Sequence, residues 1–317
     1  MEFAKAQSVG FRKRYESVKR SLSVKLARTL LRSGRRGRTR VALLLARRLR
    51  TLQAVPIKTA QGATLYVDLR VASAHALLLD SSSETSEQCV MGQVIRPEDT
   101  AFDIGAHLGV HTVWLSRLVG AAGRVCAFEP NPAVLAPLHR TVERLDNVSL
   151  HPFALSDRSG RCDLFVPGDE SMASLADWTN GEHGNIRKVS ATSRCIDDLV
   201  EDQTIPQPNF IKCDVEGGEL AVFRGARNTL NRPESPILMF EANVNASSGF
   251  GLTVQSAMDF LRSLKLPRYQ FFQVRPGGKL VRVRRLKTAH CNILAVPHCC
   301  ADRLPQSTLR LPRDSSD

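Results

Sequence analysis

The residues best suited to chemistry begin in the stretch FDIGAHLGVHT, residues 102–112. Gly105 and Gly109 follow Asp103, and their lack of a Cβ allows a tight turn that approaches a ligand closely. Their GxxxG spacing differs from the GxGxxG of dinucleotide-binding proteins, and no GKS or GKT follows as in a P-loop. The stretch therefore predicts a ligand-binding turn without phosphate-binding machinery.

Three further positions complete a candidate nucleoside pocket with Asp103. Glu129, in AFEPNP, ends the second predicted strand and can accept hydrogen bonds from both hydroxyls of a ribose. Ser156 and Asp157, in ALSD, end the third predicted strand, where Asp157 can meet the exocyclic amine of an adenine. These residues favour S-adenosylmethionine over NAD as the cofactor, because its tail is an amino acid. The alternative is that they are turn residues of some other α/β protein.

Carboxylates also occur where a reacting group would lie. Asp214 and Glu216, in KCDVEGGE, follow the fourth predicted strand, and Glu241 ends the fifth. Methyl transfer is an in-line displacement from a sulfonium, which needs alignment of donor and acceptor and can need a base. We therefore take these three residues as candidate catalytic groups, and Asp214 also as a contact for the positive end of the cofactor. Alternatively, Asp214 and Glu219 cap the following helix.

The two histidines beside the glycines do not form a known metal motif. His107 and His111 are four residues apart, but the glutamate of an HExxH helix is absent and Gly109 lies between them. The sequence therefore predicts no metal site.

Alternating strands and helices must position these residues. From residue 99 onward five main strands are predicted, namely TAFDI, RVCAFE, VSLHPFAL, NFIKCD and PILMFEA. Helical segments follow four of them, and a β-rich interlude around RCDLFVP and KVSATSR follows the third. This alternation predicts an α/β fold with a doubly wound, mostly parallel sheet, which binds ligands beyond the carboxyl ends of its strands. A hairpin across Gly277 and Gly278 predicts an antiparallel edge, and HCNILAV predicts a last strand. The segment SMASLADW is a candidate substrate loop above the sheet.

Seven motifs, taken together, resemble those of a known family. They are DIGAHLGVHT, FEPNP, ALSD, SMASL, CIDDL, IKCDVEGGE and FEAN. In this order and spacing, residues 99–296 resemble the FkbM family of S-adenosylmethionine-dependent methyltransferases. The resemblance implies a Rossmann-like class I methyltransferase fold and, commonly, O-methylation of glycan, polyketide or related natural-product hydroxyls. The family usually has asparagine where this chain has His107, a position that the resemblance assigns to the methionine end of the cofactor, so cofactor affinity or substrate choice could differ.

The positive charge of the chain is concentrated at its amino end. The net charge is +13, and residues 1–50 alone carry +14, so the remainder is almost neutral. A nucleic-acid surface over the whole protein is therefore not implied. The spacing of Val18, Leu22, Leu26 and Leu30 predicts a helical arm, which is either solvated or lies on an anionic membrane or partner. We expect cofactor binding to survive removal of residues 1–50.

These patterns predict four regions and a location. They are a basic helical arm (1–50), a β-hairpin and helix cover (51–98), a methyltransferase domain (99–298) and a polar tail (299–317). The eight cysteines show no CxxC pair, which favours a reducing compartment, and the apolar run VALLLA is too short to span a bilayer. We therefore expect a cytoplasmic protein, with peripheral membrane attachment through residues 1–50 as an option. An Arg-rich, acid-poor start is also typical of organelle transit peptides.

Two other functions stay open on the sequence. The basic arm suggests RNA methylation, but the neutral remainder and the absence of an Asn-Pro-Pro-Tyr type motif argue against it. A non-catalytic membrane- or partner-binding protein with a methyltransferase-like fold is the second alternative. The presence of Asp103, Glu129, Asp157 and Asp214 argues against that reading. The expected partner is thus a hydroxyl-bearing small molecule or glycan.

Overall fold

Strands and helices alternate along most of the chain. The structure is a computed structural model that describes residues 22–33, 36–59, 62–80, 84–179 and 184–305. Its strands are β1 (Val55–Lys58), β2 (Thr64–Val67), β3 (Thr100–Ile104), β4 (Arg124–Phe128), β5 (Val148–His151), β6 (Ala154–Leu155), β7 (Gly160–Val166), β8 (Arg187–Arg194), β9 (Phe210–Cys213), β10 (Ile237–Asn243), β11 (Gln270–Arg275), β12 (Lys279–Arg282) and β13 (His290–Val296).

The helices connect these strands or cover them. They are α1 (22–32), α2 (Arg38–Arg48), α3 (Ala74–Leu79), α4 (Ser86–Val94), α5 (Val110–Val119), α6 (Pro132–Val142), α7 (Ile196–Glu201), α8 (Glu219–Arg224), α9 (Arg227–Leu230), α10 (Val244–Gly249) and α11 (Ser256–Ser263).

Eight strands form the central sheet, in the order β12-β11-β13-β10-β9-β3-β4-β5. From β10 to β5 all neighbours are parallel, which confirms the predicted doubly wound, mostly parallel sheet. Side chains alternate between its two faces, so Phe102 joins the core under α8 and α11, whereas Ala101 joins the core under α4 and α5. The parallel strands therefore place their carboxyl ends, and the residues that follow them, along one edge.

The antiparallel part of the sheet is larger than a hairpin. The predicted hairpin is present as β11 and β12 at the sheet edge. The last strand, β13, lies between β10 and β11 and pairs antiparallel with both. The antiparallel edge is thus confirmed, and it consists of three strands.

The third predicted strand is wrong as a single element. VSLHPFAL divides at Pro152 into β5, in the central sheet, and β6, in a separate sheet of order β6-β8-β7. Proline has no backbone N–H to donate to a strand pair, so the ladder with β4 stops before it. The ALSD motif consequently begins in β6, a strand of the small sheet.

The described part of the N-terminal segment packs on the body. Ala27 and Leu31 of α1 and Ala42 and Ala46 of α2 are buried in one core with the β1–β2 hairpin and α3. Two residues of the predicted apolar stripe, Leu22 and Leu26, are exposed. The buried stripe of α1 lies one position further along the chain. Val18 lies outside the described residues. Among those described, no helix combines the length and the apolarity needed to cross a membrane.

Candidate active site

The turn between β3 and α5 has the backbone form that the glycines predicted. Gly105 has a φ of 82°, and its N–H and that of Ala106 both donate to the carbonyl of Phe128, each at 3.0 Å. A Cβ on Gly105 would overlap the carbonyl oxygen of Asp214, which follows β9. A residue without a side chain is therefore required for the loops after β3 and β9 to meet.

His107 occupies a position that explains its departure from the family pattern. Its φ is 49°, in the left-handed region that asparagine and histidine enter more readily than most residues. Its ring Nε2 lies 3.2 Å from the Ser73 hydroxyl. Burial lowers the pKa of His107 to about 4, so the ring is neutral near pH 7.

Glu129 lies buried beside this turn, directly after β4. One carboxylate oxygen accepts from the backbone N–H of His107 at 2.8 Å, and the other from that of Asn131 at 2.7 Å. Asn131 in turn caps α6 by accepting from the N–H of Ala133. Burial raises the pKa of Glu129 to about 7, although the two backbone N–H groups oppose the rise. The carboxylate is thus fixed in place, with further lone pairs for a ligand.

A cavity joins the loops that follow β3, β4 and β9. It encloses about 660 Å³ of empty space, part of it open to solvent. Its polar wall includes Gly105, His107, Glu129 and Asp214. Its apolar wall includes Phe128, Phe153, Leu155, Leu164 and Phe250. Four of the residues singled out in the sequence therefore lie together around one space.

The loop SMASL forms another wall of this cavity. Ser171, Ser174 and Leu175 line it. Ser174 donates to the carbonyl of Glu216 at 2.8 Å, which connects the loop to the turn after β9. Trp178, at the end of the SMASLADW segment, lies against Gly249.

Ser156 and Asp157 follow β6, whose residues Ala154 and Leu155 line the cavity. Ser156 and Asp157 themselves are not among the described residues that line it, and Asp157 is exposed. A Cβ on Gly225 would overlap the Ser156 carbonyl, so this segment packs at the junction of α8 and α9. The adenine role of Asp157 stays a prediction.

Asp103 and Gly109 lie behind the cavity wall. Asp103 is fully buried and accepts from the Thr112 hydroxyl at 2.6 Å, which ties α5 to β3. Burial raises its pKa, and nearby Lys212 opposes the rise. Gly109 has a φ of 81°, and a Cβ there would come within 2.8 Å of Leu138. Both residues support the turn from behind.

Asp214 forms an ion pair with a buried lysine. Lys212 Nζ lies 2.8 Å from Asp214 Oδ2, and the lysine side chain is 5% exposed. Although burial acts against both charged forms, the pair lowers the pKa of Asp214 and, with Asp103, raises that of Lys212. His111 lies near this pair, and burial lowers its pKa to about 3. Asp214 is therefore ionised at neutral pH.

The three candidate catalytic carboxylates converge. Asp214, Glu216 and Glu241 each place an oxygen within 4.8 Å of the others. Burial, followed by repulsion from Glu241, raises the pKa of Glu216 to about 9. Such a group of oxygen atoms is also able to hold a hard divalent cation. The expectation of no metal thus stays a prediction.

Glu219 binds the turn that precedes α8, and neither it nor Asp214 makes a side-chain cap bond to that helix. Its carboxylate accepts from the backbone N–H groups of Val215 at 3.2 Å and Gly217 at 3.3 Å. Burial raises its pKa to about 8. It therefore holds the tight turn between β9 and α8, next to the positive φ of Glu216.

His290 is a site residue that sequence reasoning missed. Its Nε2 lies 2.5 Å from Glu241 Oε1, while the histidine side chain is 61% exposed and that of Glu241 is 13% exposed. The contact depends on β13 lying beside β10, where His290 is opposite Asn243. Only this inserted strand brings the two residues together, and no local motif signals it.

Comparison with known protein families identifies the family of this chain. The model of the "Methyltransferase FkbM domain" family matches residues 103–271, more than half of the chain. The chain belongs to the FkbM methyltransferase family. The matched range contains the glycine turn, Glu129, Asp214, Glu216 and Glu241, so the cavity and the carboxylates lie in the FkbM domain. The architecture is accordingly the class I methyltransferase fold.

Two curated proteins are similar to part of the chain. Hexuronic acid methyltransferase AglP of Haloferax volcanii is 31% identical over 151 residues, which cover 47% of this chain and 58% of AglP. The 2-O-methyltransferase NoeI of Sinorhizobium fredii is 26% identical over 168 residues, 48% of this chain and 67% of NoeI. The match to AglP thus spans less than two-thirds of that protein.

Solved structures are more distant. The O-methyltransferase of Bacillus cereus in complex with SAH has a TM-score of 0.39 and 15% identity, covering 66% of this chain and 78% of that one. Aeropyrum pernix fibrillarin with bound S-adenosyl-L-methionine has a TM-score of 0.36 and 14% identity, covering 64% and 68%.

Proposed function

We propose that this FkbM-family protein is an S-adenosylmethionine-dependent O-methyltransferase that acts on a hydroxyl of a sugar or glycan. One observation carries the proposal: a single cavity brings the glycine turn, Glu129 and Asp214 together at the carboxyl ends of three parallel strands. Ligands of open α/β sheets bind at that edge.

The residues of the cavity fit the cofactor. Its aromatic and aliphatic wall, with Phe128 and Phe153, suits an adenine ring, and the fixed carboxylate of Glu129 suits a pair of ribose hydroxyls. Gly105, His107 and Asp214 provide backbone groups, a neutral ring and a negative charge for the amino-acid tail. We assign Asp103 and Gly109 to supporting this wall.

The carboxylates then handle the acceptor proton. S-adenosylmethionine supplies an electrophilic methyl group on a sulfonium. We take Glu241 as the base, because an oxygen of its carboxylate lies within 4.8 Å of an oxygen of Asp214, which lines the cavity, and His290 holds its Oε1. Glu241 itself is not among the described residues that line the cavity. Burial raises the pKa of Glu241, which makes its carboxylate a stronger base. Glu216 carries a proton at pH 7 because its pKa is about 9, so we assign it to hydrogen bonding with the acceptor.

The acceptor class rests on the relatives and on this chemistry. AglP is described as acting on hexuronic acid and NoeI as a 2-O-methyltransferase. A hydroxyl loses its proton as it is methylated, and acidic side chains near the cavity provide a proton acceptor. These facts support a sugar hydroxyl as the methyl acceptor. Polyketides and related natural products also carry hydroxyl groups.

A methyl-transfer assay tests the proposal. The full-length protein and radiolabelled S-adenosylmethionine are incubated with glucuronic-acid-containing oligosaccharides, neutral oligosaccharides and RNA. We expect label in one or more of the oligosaccharides, and we expect loss of this labelling in the Glu241→Gln variant. Label in RNA alone would replace the proposal with RNA methylation, and binding of the cofactor without transfer to any oligosaccharide would contradict the acceptor class.

A further inference from the structure

The first two helices expose most of the large hydrophobic side chains on the described surface. Of seven such side chains, five lie on α1, on α2 or directly after α2. They are Leu22, Leu26, Val41, Leu44 and Leu49. Leu22 is 62% exposed, and Leu26 and Leu44 are each 58% exposed. Clustered exposure of this kind marks an interaction surface rather than scattered apolar residues.

The spacing of these residues gives each helix two apolar stripes. In α1, Ala27 and Leu31 face the core, whereas Leu22 and Leu26 lie one turn apart on the exposed side. In α2, Ala42 and Ala46 face the core. Val41 and Leu44 are three residues apart on its exposed side. Packing on the body is therefore complete without the exposed leucines.

The same helices are strongly basic. Residues 17–67 contain no aspartate or glutamate, while residues 22–50 contain ten lysines and arginines. Among the described residues, eight of these are exposed, namely Lys25, Arg28, Arg32, Arg36, Arg40, Arg47, Arg48 and Arg50. The exposed leucines thus lie among positive charges with no acidic residue of the same segment to neutralise them.

We propose that the exposed faces of α1 and α2 form a docking face for an anionic phospholipid bilayer. A bilayer surface offers both negative headgroups for the basic residues and acyl chains for the leucines, which is how interfacial amphipathic helices bind. Nucleic acid would match the charge, but its phosphates offer nothing to exposed leucines. The docking face therefore complements a lipid surface more completely than a polyanion alone.

A groove connects the docking face with the cavity. Leu43 and Arg47 of α2 line it on one side, and Arg187 contributes further positive charge, whereas Arg70 is paired with Asp68 of the same groove. Glu170 lines both this groove and the cavity. Docking through α1 and α2 would thus bring the groove close to the lipid surface. The docking proposal is independent of methyl transfer, since attachment does not require the cofactor.

Surface substitutions in the full-length protein test the docking face. Deletion of residues 1–50 is unsuitable, because it would remove four buried core residues and could disturb cofactor binding, contrary to the sequence expectation. The first variant replaces Leu26 and Leu44 by serine, and the second replaces Arg40 and Arg48 by glutamate. Leu266→Ser, at a 53% exposed leucine elsewhere, and Lys265→Glu are the matched controls.

Co-sedimentation compares vesicles of phosphatidylglycerol mixed with phosphatidylcholine against phosphatidylcholine alone. We expect wild-type binding to the mixed vesicles, a loss of about tenfold or more in each docking-face variant, and no change in the controls. Thermal unfolding should be unchanged in all variants, because every replaced side chain is exposed. No binding by the wild type would overturn the proposal. A second pattern would also overturn it, with RNA binding measured for the same variants. If the serine variant binds vesicles like the wild type while the glutamate variant loses affinity for both vesicles and RNA, the surface recognises polyanions.

Discussion

Replacement of Asp214 by asparagine removes the charge of this residue but keeps its size. The present contact is an ion pair, with Asp214 Oδ2 2.8 Å from the ammonium of Lys212, whose side chain is 5% exposed. An asparagine oxygen can still accept from that ammonium, and Asp103 stays as a second negative neighbour of the lysine. The variant should therefore fold, with Lys212 in its native position.

The structure allows an estimate of how much stability and how much turnover the Asp214→Asn variant should lose. Loss of one partner of a buried ion pair costs about 3–5 kcal/mol, but the Asp214 side chain is 38% exposed and the asparagine keeps a hydrogen bond. We therefore expect a loss of about 1–2 kcal/mol in the free energy of unfolding. Turnover should fall about 10²-fold or more, equivalent to about 2.7 kcal/mol in the activation barrier. Domains have about 5–15 kcal/mol of stability, so unfolding would not explain the lost activity.

The assay measures kcat and cofactor affinity separately. Asp259→Asn is the matched control, because Asp259 forms an exposed ion pair with Arg262 on α11. A fall in kcat alone assigns Asp214 to the reacting groups, and a parallel fall in cofactor affinity assigns its charge to the sulfonium end. Wild-type kcat in Asp214→Asn would refute the reasoning and leave proton transfer to Glu241 alone. EDTA should have no effect, and sensitivity to it would make the three carboxylates cation ligands.

Three further results are expected. Glu129→Ala should weaken S-adenosylmethionine binding by about ten- to a hundredfold in calorimetry, because two hydrogen bonds to a charged acceptor are lost, and unchanged affinity would remove the residue from the ribose role. Burial raises the folded-state pKa of Glu129 to about 7 and of Glu219 to about 8, above the usual 4.5, so their contribution to stability is present at low pH and lost as pH rises through about 7–8. Thermal unfolding of the ligand-free protein should accordingly show a decline with pH that is shallower in Glu129→Gln, and an equal slope would contradict this. Gly105→Ala should cost about 2–5 kcal/mol in urea unfolding, through overlap with Asp214 and the positive φ, whereas Gly251→Ala, with a φ of 68° and open space around it, should cost about 1–2 kcal/mol.

The parallel half of the fold was predictable because its signals are local. Apart from β5, each parallel strand is a short apolar run followed by a helix, and the residues that chemistry requires come directly after the strands. Glu129 after β4 and Asp214 after β9 were found in this way, and parallel pairing places both at one edge of the sheet. Gly105 was predictable too, since a tight turn at this point excludes a Cβ.

The remaining features depend on long-range pairing. Insertion of β13 between β10 and β11 brings His290 to Glu241, which lies 49 residues away in the sequence. The division at Pro152 places the start of the ALSD motif in β6 of the small sheet, beside the cavity. In α1, Leu22 and Leu26 have the same helical spacing as Ala27 and Leu31. Only Ala27 and Leu31 are buried, because they pack in one core with the β1–β2 hairpin.

Calorimetric titration of the full-length protein with S-adenosylmethionine tests the central claim, that the cavity is a cofactor site. The account predicts saturable binding of one molecule per chain, and competition by S-adenosylhomocysteine for the same site. A protein that is folded by circular dichroism but shows no saturable binding of either compound would contradict it.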